Sequence, residues 1–317
     1  MRRMKKLATL ALSAALVTST GAFPALATST GAQGIDLSSY SSFGPMAGNG
    51  AEIITSETAA ETTADTATDA ATAADSMHVF QNALGTYTAA TGAIVIGPVS
   101  AIDTSALNDA QNAALDELFQ NSVIIGNSIG NGFANYTKAR TTDPVLKNFQ
   151  SLTANGYYIE GAFEEISTTS RHPFYRGQQR FVWDSVQLMG AKHVFLSFGT
   201  TEVQYPTVIE DYQRLINHII AVNPGVDITV ISATYIYPGK YYGTMTSPNV
   251  KKFNTTMEQV CVANGWNFIN VADRLSDANG DLDPVYSSDE YIHQNDLAYD
   301  IWTAALKEYG LKKLGMA

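Results

Sequence analysis

Four short, mainly apolar runs stand between residues 122 and 271. They are residues 122–125 (SVII), 194–198 (VFLSF), 226–231 (VDITVI) and 268–271 (FINV). Each is too short for a helix, and all but 226–231, where Asp227 and Thr229 alternate with apolar residues, lack the one-in-two polarity of a strand with a wet face. Each reads as a strand buried on both sides. Helical patterns separate them. In residues 208–220, Val208, Tyr212, Leu215, Ile216, Ile219 and Ile220 share one face. In residues 250–262, Val250, Phe253, Met257, Val260 and Cys261 do the same, and Asn264 and Gly265 supply a stop. Residues 106–119 and 296–308 also read as helices. Buried strands alternating with helices predict an α/β fold: a mainly parallel sheet in a three-layer α/β/α sandwich with right-handed crossovers. An extra strand at 93–96 would extend the sheet. Such folds place their chemistry at the carboxyl ends of the strands.

Charge separates this region from what precedes it. Residues 1–6 hold four bases, and no Lys or Arg follows until Lys138. Residues 7–137 hold eleven acids, while residues 138–317 carry a net −4 of the total −11. The basic start, the apolar run 7–17 and Ala25-Leu26-Ala27 have the form of a signal peptide over 1–27, cleaved before Thr28. The run falls short of the roughly 20 apolar residues that span a bilayer, so no membrane span is expected after its removal. Residues 28–77, rich in Ala, Thr, Asp and Glu, cannot bury enough surface to order themselves and read as an acidic spacer. The folded domain is expected over 78–317, with 78–104 as an extension and 105–317 as its core. The acidity argues against nucleic-acid binding, which needs cations for phosphates. The single cysteine, Cys261, rules out an internal disulfide framework and a Cys-based zinc site. His, Asp and Glu show no metal-ligand spacing, and no P-loop or dinucleotide fingerprint appears. No cofactor and no metal are expected.

After the first buried run stands Gly126-Asn127-Ser128-Ile129-Gly130. A serine at a strand-to-helix turn either projects a nucleophilic hydroxyl or caps the helix. Near the C-terminus, Ser288-Asp289-Glu290-Tyr291-Ile292-His293 sets two carboxylates three and four residues before a histidine. A carboxylate so close can orient the imidazole that a serine nucleophile requires.

In block order and spacing, residues 115–309 resemble the GDSL or SGNH hydrolases. GNSIGNG stands for the first block, VFLSFGTTEV for the third, and DEYIHQNDLAYDIW for the last. The stretch HPFYRGQQRFVWDSVQLMGAKHVFLSFG is similar to secreted Gram-positive members. The resemblance implies the flavodoxin-like version of the sandwich, with Ser128 as nucleophile, His293 as base and Asp289 or Glu290 as orienting acid. It implies an oxyanion hole from Ser128, Gly156 and Thr201. Thr201 stands where the family has asparagine, and its shorter arm is expected to reach an oxyanion only through water. Losing one such donor costs on the order of 10²–10³ in rate. Asn127 and Gly199, with Tyr235 and Tyr237 from a tyrosine-rich loop whose faces suit sugar rings, are expected to contact substrate. An α/β-hydrolase is disfavoured by the early serine and the missing upstream oxyanion loop.

His172 precedes a stretch, expected to be helical, that carries Arg176 and Arg180. The stretch reads either as an anion-recognition element or as solvated surface. Two functions follow. One is an exported, cell-envelope-associated or secreted bacterial serine esterase that takes acyl groups from glycans or small esters. The other is a catalytically weakened surface module that binds glycans on the same fold.

Overall fold

The computed structural model describes residues 79–82, 85–88 and 92–317. The expected signal peptide, the spacer and His78 lie outside the described residues. A hairpin of β1 (Val79–Asn82) and β2 (Gly85–Thr88) precedes β3 (Val95–Ile96), the extra strand expected at 93–96. Then follow α1 (Asp109–Leu118), β4 (Ser122–Gly126), α2 (Ser128–Lys138) and β5 (Phe149–Thr153). A small hairpin, β6 (Phe174–Tyr175) and β7 (Gln178–Gln179), leads to α3 (Val182–Met189) and β8 (His193–Ser197). The chain ends with α4 (Val208–Val222), β9 (Asp227–Ile231), α5 (Ser247–Ala263), β10 (Asn267–Ile269) and α6 (Asp296–Lys313).

The main sheet has six strands in the order β3-β10-β9-β8-β4-β5, and every pair is parallel. Helices α1, α2 and α6 pack together, as do α3, α4 and α5, which gives the two outer layers of the sandwich. From β4 the chain steps to β5 on one side and then crosses to β8 on the other. The crevice beside β4 is therefore a topological switch point, where such sheets bind ligands.

All five residues of β4 are buried, as the unbroken run SVIIG requires. β5 was not legible as a buried run, because FQSLT buries only Leu152 fully and lies at the sheet's edge. The expected helix around Arg176 and Arg180 is replaced by the β6–β7 hairpin. Its two turn residues, Arg176 (φ 51°) and Gly177 (φ 76°), both take positive φ, the geometry of a tight two-residue hairpin turn. The helix begins only at Val182. Aromatic rings fill the space under α1 and α6: Phe119 lies 5.8 Å from Phe195, and Phe133 lies 5.3 Å from Trp302.

Candidate active site

β4 ends at Gly126, and a Cβ there would fall 2.8 Å from the Ser197 carbonyl oxygen, so only glycine lets β4 turn away beside β8. Asn127 then takes the cap of α2, its side-chain oxygen accepting from the Ile129 N–H at 3.0 Å. Ser128 is thus the first residue of the helix, and its hydroxyl is not used as a cap. It donates to His293 Nε2 at 2.8 Å. The Ser128 N–H has no partner inside the helix, like every amide of a first turn. Gly156, three residues beyond β5, has φ +70°, is exposed, and its N–H meets no acceptor among the described residues.

His293 comes from the loop before α6. Asp289 Oδ2 lies 2.5 Å from His293 Nδ1, while Asp289 Oδ1 accepts from the N–H groups of Tyr291 (2.9 Å) and His293 (3.1 Å). The carboxylate on Nδ1 places the ring proton there and leaves Nε2 as acceptor for the serine. Burial alone would raise the Asp289 pKa, but the bonds from His293 and the two amides outweigh it and hold the acid below its ordinary range. Glu290, the other candidate acid, does not meet the ring. It sits exposed in the left-handed region (φ 55°), with its N–H on Ser287 Oγ at 2.9 Å. The loop holds one residue more than the D-x-x-H spacing, and the left-handed turn at Glu290 accommodates it.

Thr201 is turned toward its neighbour Glu202. Its hydroxyl donates to Glu202 Oε2 at 3.0 Å. The same carboxylate accepts from the Gly199 N–H (2.8 Å) and the Asn127 amide (3.4 Å), and Glu202 is only 2% exposed. Burial, with no cation beside it, pushes its pKa up. Glu202 thus ties Asn127, Gly199 and Thr201 together behind Ser128.

Three expected substrate contacts are engaged inside the protein instead. Asn127 is buried and spends both side-chain groups on the cap and on Glu202. Gly199 faces inward, where a Cβ would fall 2.3 Å from Phe253 Cε1. Tyr235 is buried with its hydroxyl on Asp273 at 2.6 Å. Tyr237 is half-buried, and its N–H donates to the Tyr291 carbonyl at 2.8 Å, which ties the tyrosine loop to the histidine loop. His172 is buried and holds the Glu164 carbonyl at 2.9 Å. A cavity of about 880 Å³ that Ser128 does not line lies between the C-terminal end of α2 and α6, and its charges are mostly paired. Among the described residues no group of three or more His, Cys, Asp or Glu is placed to hold a metal ion.

A hydroxyl, an imidazole and a carboxylate in one hydrogen-bonded file can move a proton off an attacking oxygen and return it to a leaving group. On a parallel sheet with its switch point beside β4, this defines a hydrolase of the SGNH fold. The GDSL-like lipase/acylhydrolase family model matches residues 124–301, more than half of the chain, and the chain belongs to that family. Members of such a family hydrolyse esters. Solved structures are similar to the chain at low identity. A GDSL-like lipase from Bacteroides thetaiotaomicron is 17% identical (TM-score 0.47), covering 64% of this chain and 95% of its own. A lipase/acylhydrolase from Enterococcus faecalis is 13% identical (TM-score 0.43; 61% and 96% covered). A catalytic mutant of an acetylxylan esterase from Geobacillus stearothermophilus is also 13% identical (TM-score 0.41; 62% and 94% covered). No curated protein matches the chain.

Proposed function

We propose that the chain is an exported bacterial serine esterase that removes acetyl or other acyl groups from glycans or small esters. The observation that carries this reading is the file Ser128–His293–Asp289, at 2.8 Å and 2.5 Å. Ser128 Oγ attacks the ester carbonyl as His293 Nε2 takes its proton. His293 then gives the proton to the departing alcohol, and a water molecule activated by the same ring releases the acid. The main-chain N–H groups of Ser128 and Gly156 receive the oxyanion. Asp289 keeps the ring in the working tautomer. In this reading residues 1–27 direct export and 28–77 hold the domain away from the cell envelope.

A second reading, a non-catalytic glycan-binding module, is favoured by one observation: the Thr201 hydroxyl is spent on Glu202 and leaves the oxyanion to main-chain donors. One assay decides between the two. The full chain is expected to hydrolyse p-nitrophenyl acetate and to be labelled by a fluorophosphonate. Ser128→Ala is expected to lose label and at least about 10³-fold in kcat. Equal rates for the two proteins would sink the esterase. Sequencing the secreted protein's N-terminus, expected at Thr28, tests export.

A further inference from the structure

Arg171 carries a positive charge beside this site, and among the described residues it has no carboxylate partner. Arg140, Arg214 and Arg274 pair with Asp296, Asp211 and Glu308. Arg171 is exposed, and the one internal acceptor for its guanidinium is the Asn155 carbonyl, 3.3 Å from Nη1. The guanidinium lies against Gly156, where a Cβ would fall 2.6 Å from Arg171 Nη1 and 3.2 Å from Cζ. The next residue, His172, is buried, with its ring 5.2 Å from that of Phe181, which anchors the chain behind Arg171. The strip it rests on borders the nucleophile. Asn131, one turn along α2 from Ser128, donates to the Asn155 side chain at 3.1 Å, and Gly156 follows Asn155. Side chains three apart on a helix are neighbours, so Ser128 and Asn131 share one face.

We propose that Arg171 is an anion subsite, and that the preferred substrates are esters whose alcohol part carries a carboxylate or a phosphate near the acylated hydroxyl. The inference rests on the esterase reading above. A guanidinium offers a planar fork of donors matched to both anions, and here most of those donors meet no internal acceptor. The alcohol side is assigned because Arg171 stands at the exposed rim, where the larger, solvent-borne part of an acylated glycan must lie. A chain of net charge −11 gives an anionic substrate no help from its overall field, so a local cation sets the preference.

The test compares the full chain with Arg171→Gln and Arg171→Lys on three acetate esters. Phenyl acetate is neutral, 4-acetoxybenzoate carries a carboxylate and 4-acetoxyphenyl phosphate carries a phosphate. Comparing the charged-over-neutral ratio of kcat/KM between variants cancels intrinsic ester reactivity. Arg171→Gln is expected to lower at least one ratio about tenfold, Arg171→Lys to lower it less, and about 0.5 M NaCl to compress the wild-type ratio. The ratio that falls identifies the anion. Ratios unmoved by Arg171→Gln overturn the proposal. If phenyl acetate is hydrolysed equally by wild type and Ser128→Ala, the esterase reading has failed, and calorimetry judges Arg171 alone. Then 4-hydroxybenzoate or phenyl phosphate must bind Ser128→Ala about tenfold more tightly than Ser128→Ala/Arg171→Gln. Equal affinities overturn the subsite.

Discussion

Asp289 accepts two main-chain N–H groups with one oxygen and meets the His293 ring with the other. Such bonds favour the ionised form, so the acid stays charged wherever His293 works as a base. Asp289→Asn removes the charge and lets the ring take the wrong tautomer. The expected loss in kcat is about 10⁴-fold, read with p-nitrophenyl acetate. Glu290→Gln alters an exposed side chain and is expected to change kcat less than about threefold. Equal losses in the two variants would show that the ring is not held by Asp289 in solution. The spacing of residues 288–293 left both acids open, because each stands within loop reach of the histidine. The choice depends on how the extra residue is absorbed, and the left-handed turn at Glu290 absorbs it. A serine at this turn suits a cap or a nucleophile, and Asn127 in the cap position leaves the Ser128 hydroxyl to His293.

Two helices hold the file together. α2 begins with the nucleophile and α6 follows the histidine loop, and the Tyr299 hydroxyl on α6 donates to the Ile129 carbonyl in the first turn of α2 at 3.1 Å. Gly132 makes room for it, since a Cβ there would fall 2.1 Å from the Tyr299 oxygen. Gly132→Ala is therefore expected to destabilise the protein by about 1–3 kcal/mol through overpacking, read as a lower urea midpoint at unchanged slope. Adding Tyr299→Phe should return part of that loss, because the clashing atom is gone. If Gly132→Ala has the wild-type midpoint, the helices do not dock as described. Asn295 supports the same joint, capping α6 through the Ala298 N–H at 3.3 Å while its amide donates to the Val285 carbonyl at 2.8 Å. At this scale α4 is legible in the sequence, because its apolar residues repeat at helical spacing. The β6–β7 hairpin was missed because its turn, Arg-Gly, carries a non-glycine residue at positive φ, which sequence preference argues against.

Across the whole molecule, the site and a major polar anchor occupy opposite ends of the sheet. At the amino end of β9, Asp227 accepts from Tyr309 (2.8 Å) and Lys313 (3.0 Å) on α6 and from Asn267 on β10 (3.1 Å), and it meets His193 on β8 (3.2 Å). Burial opposes its charge, but His193, Lys313 and Tyr309 outweigh burial and depress the acid well below its ordinary range. A pKa lowered on folding adds stability that is fully present above the unfolded carboxylate value of about 3.9 and is lost as pH falls through the folded value. Asp227→Asn is thus expected to be less stable than wild type at pH 7, and the gap should narrow on acidification below about pH 4. Urea midpoints at the two pH values measure it. A constant gap would mean that the charge of Asp227 does not stabilise the fold.

The chain's own patterning determined the strand-and-helix alternation and two local motifs, the strand-to-helix turn at Ser128 and the acid–histidine loop at 288–293. Those features depend on neighbours a few positions apart, and spacing encodes them directly. Only the tertiary structure decided where the hydroxyl of Thr201 goes, why Asn127 and Tyr235 turn inward, and which arginine stands over Gly156. Each of these depends on atoms about 3 Å apart in space. Asn127 and Glu202 are 75 residues apart in sequence, and Arg171 is 16 residues from the carbonyl it meets. Linear spacing cannot supply such partners, because the packing that brings them together comes from the whole core at once.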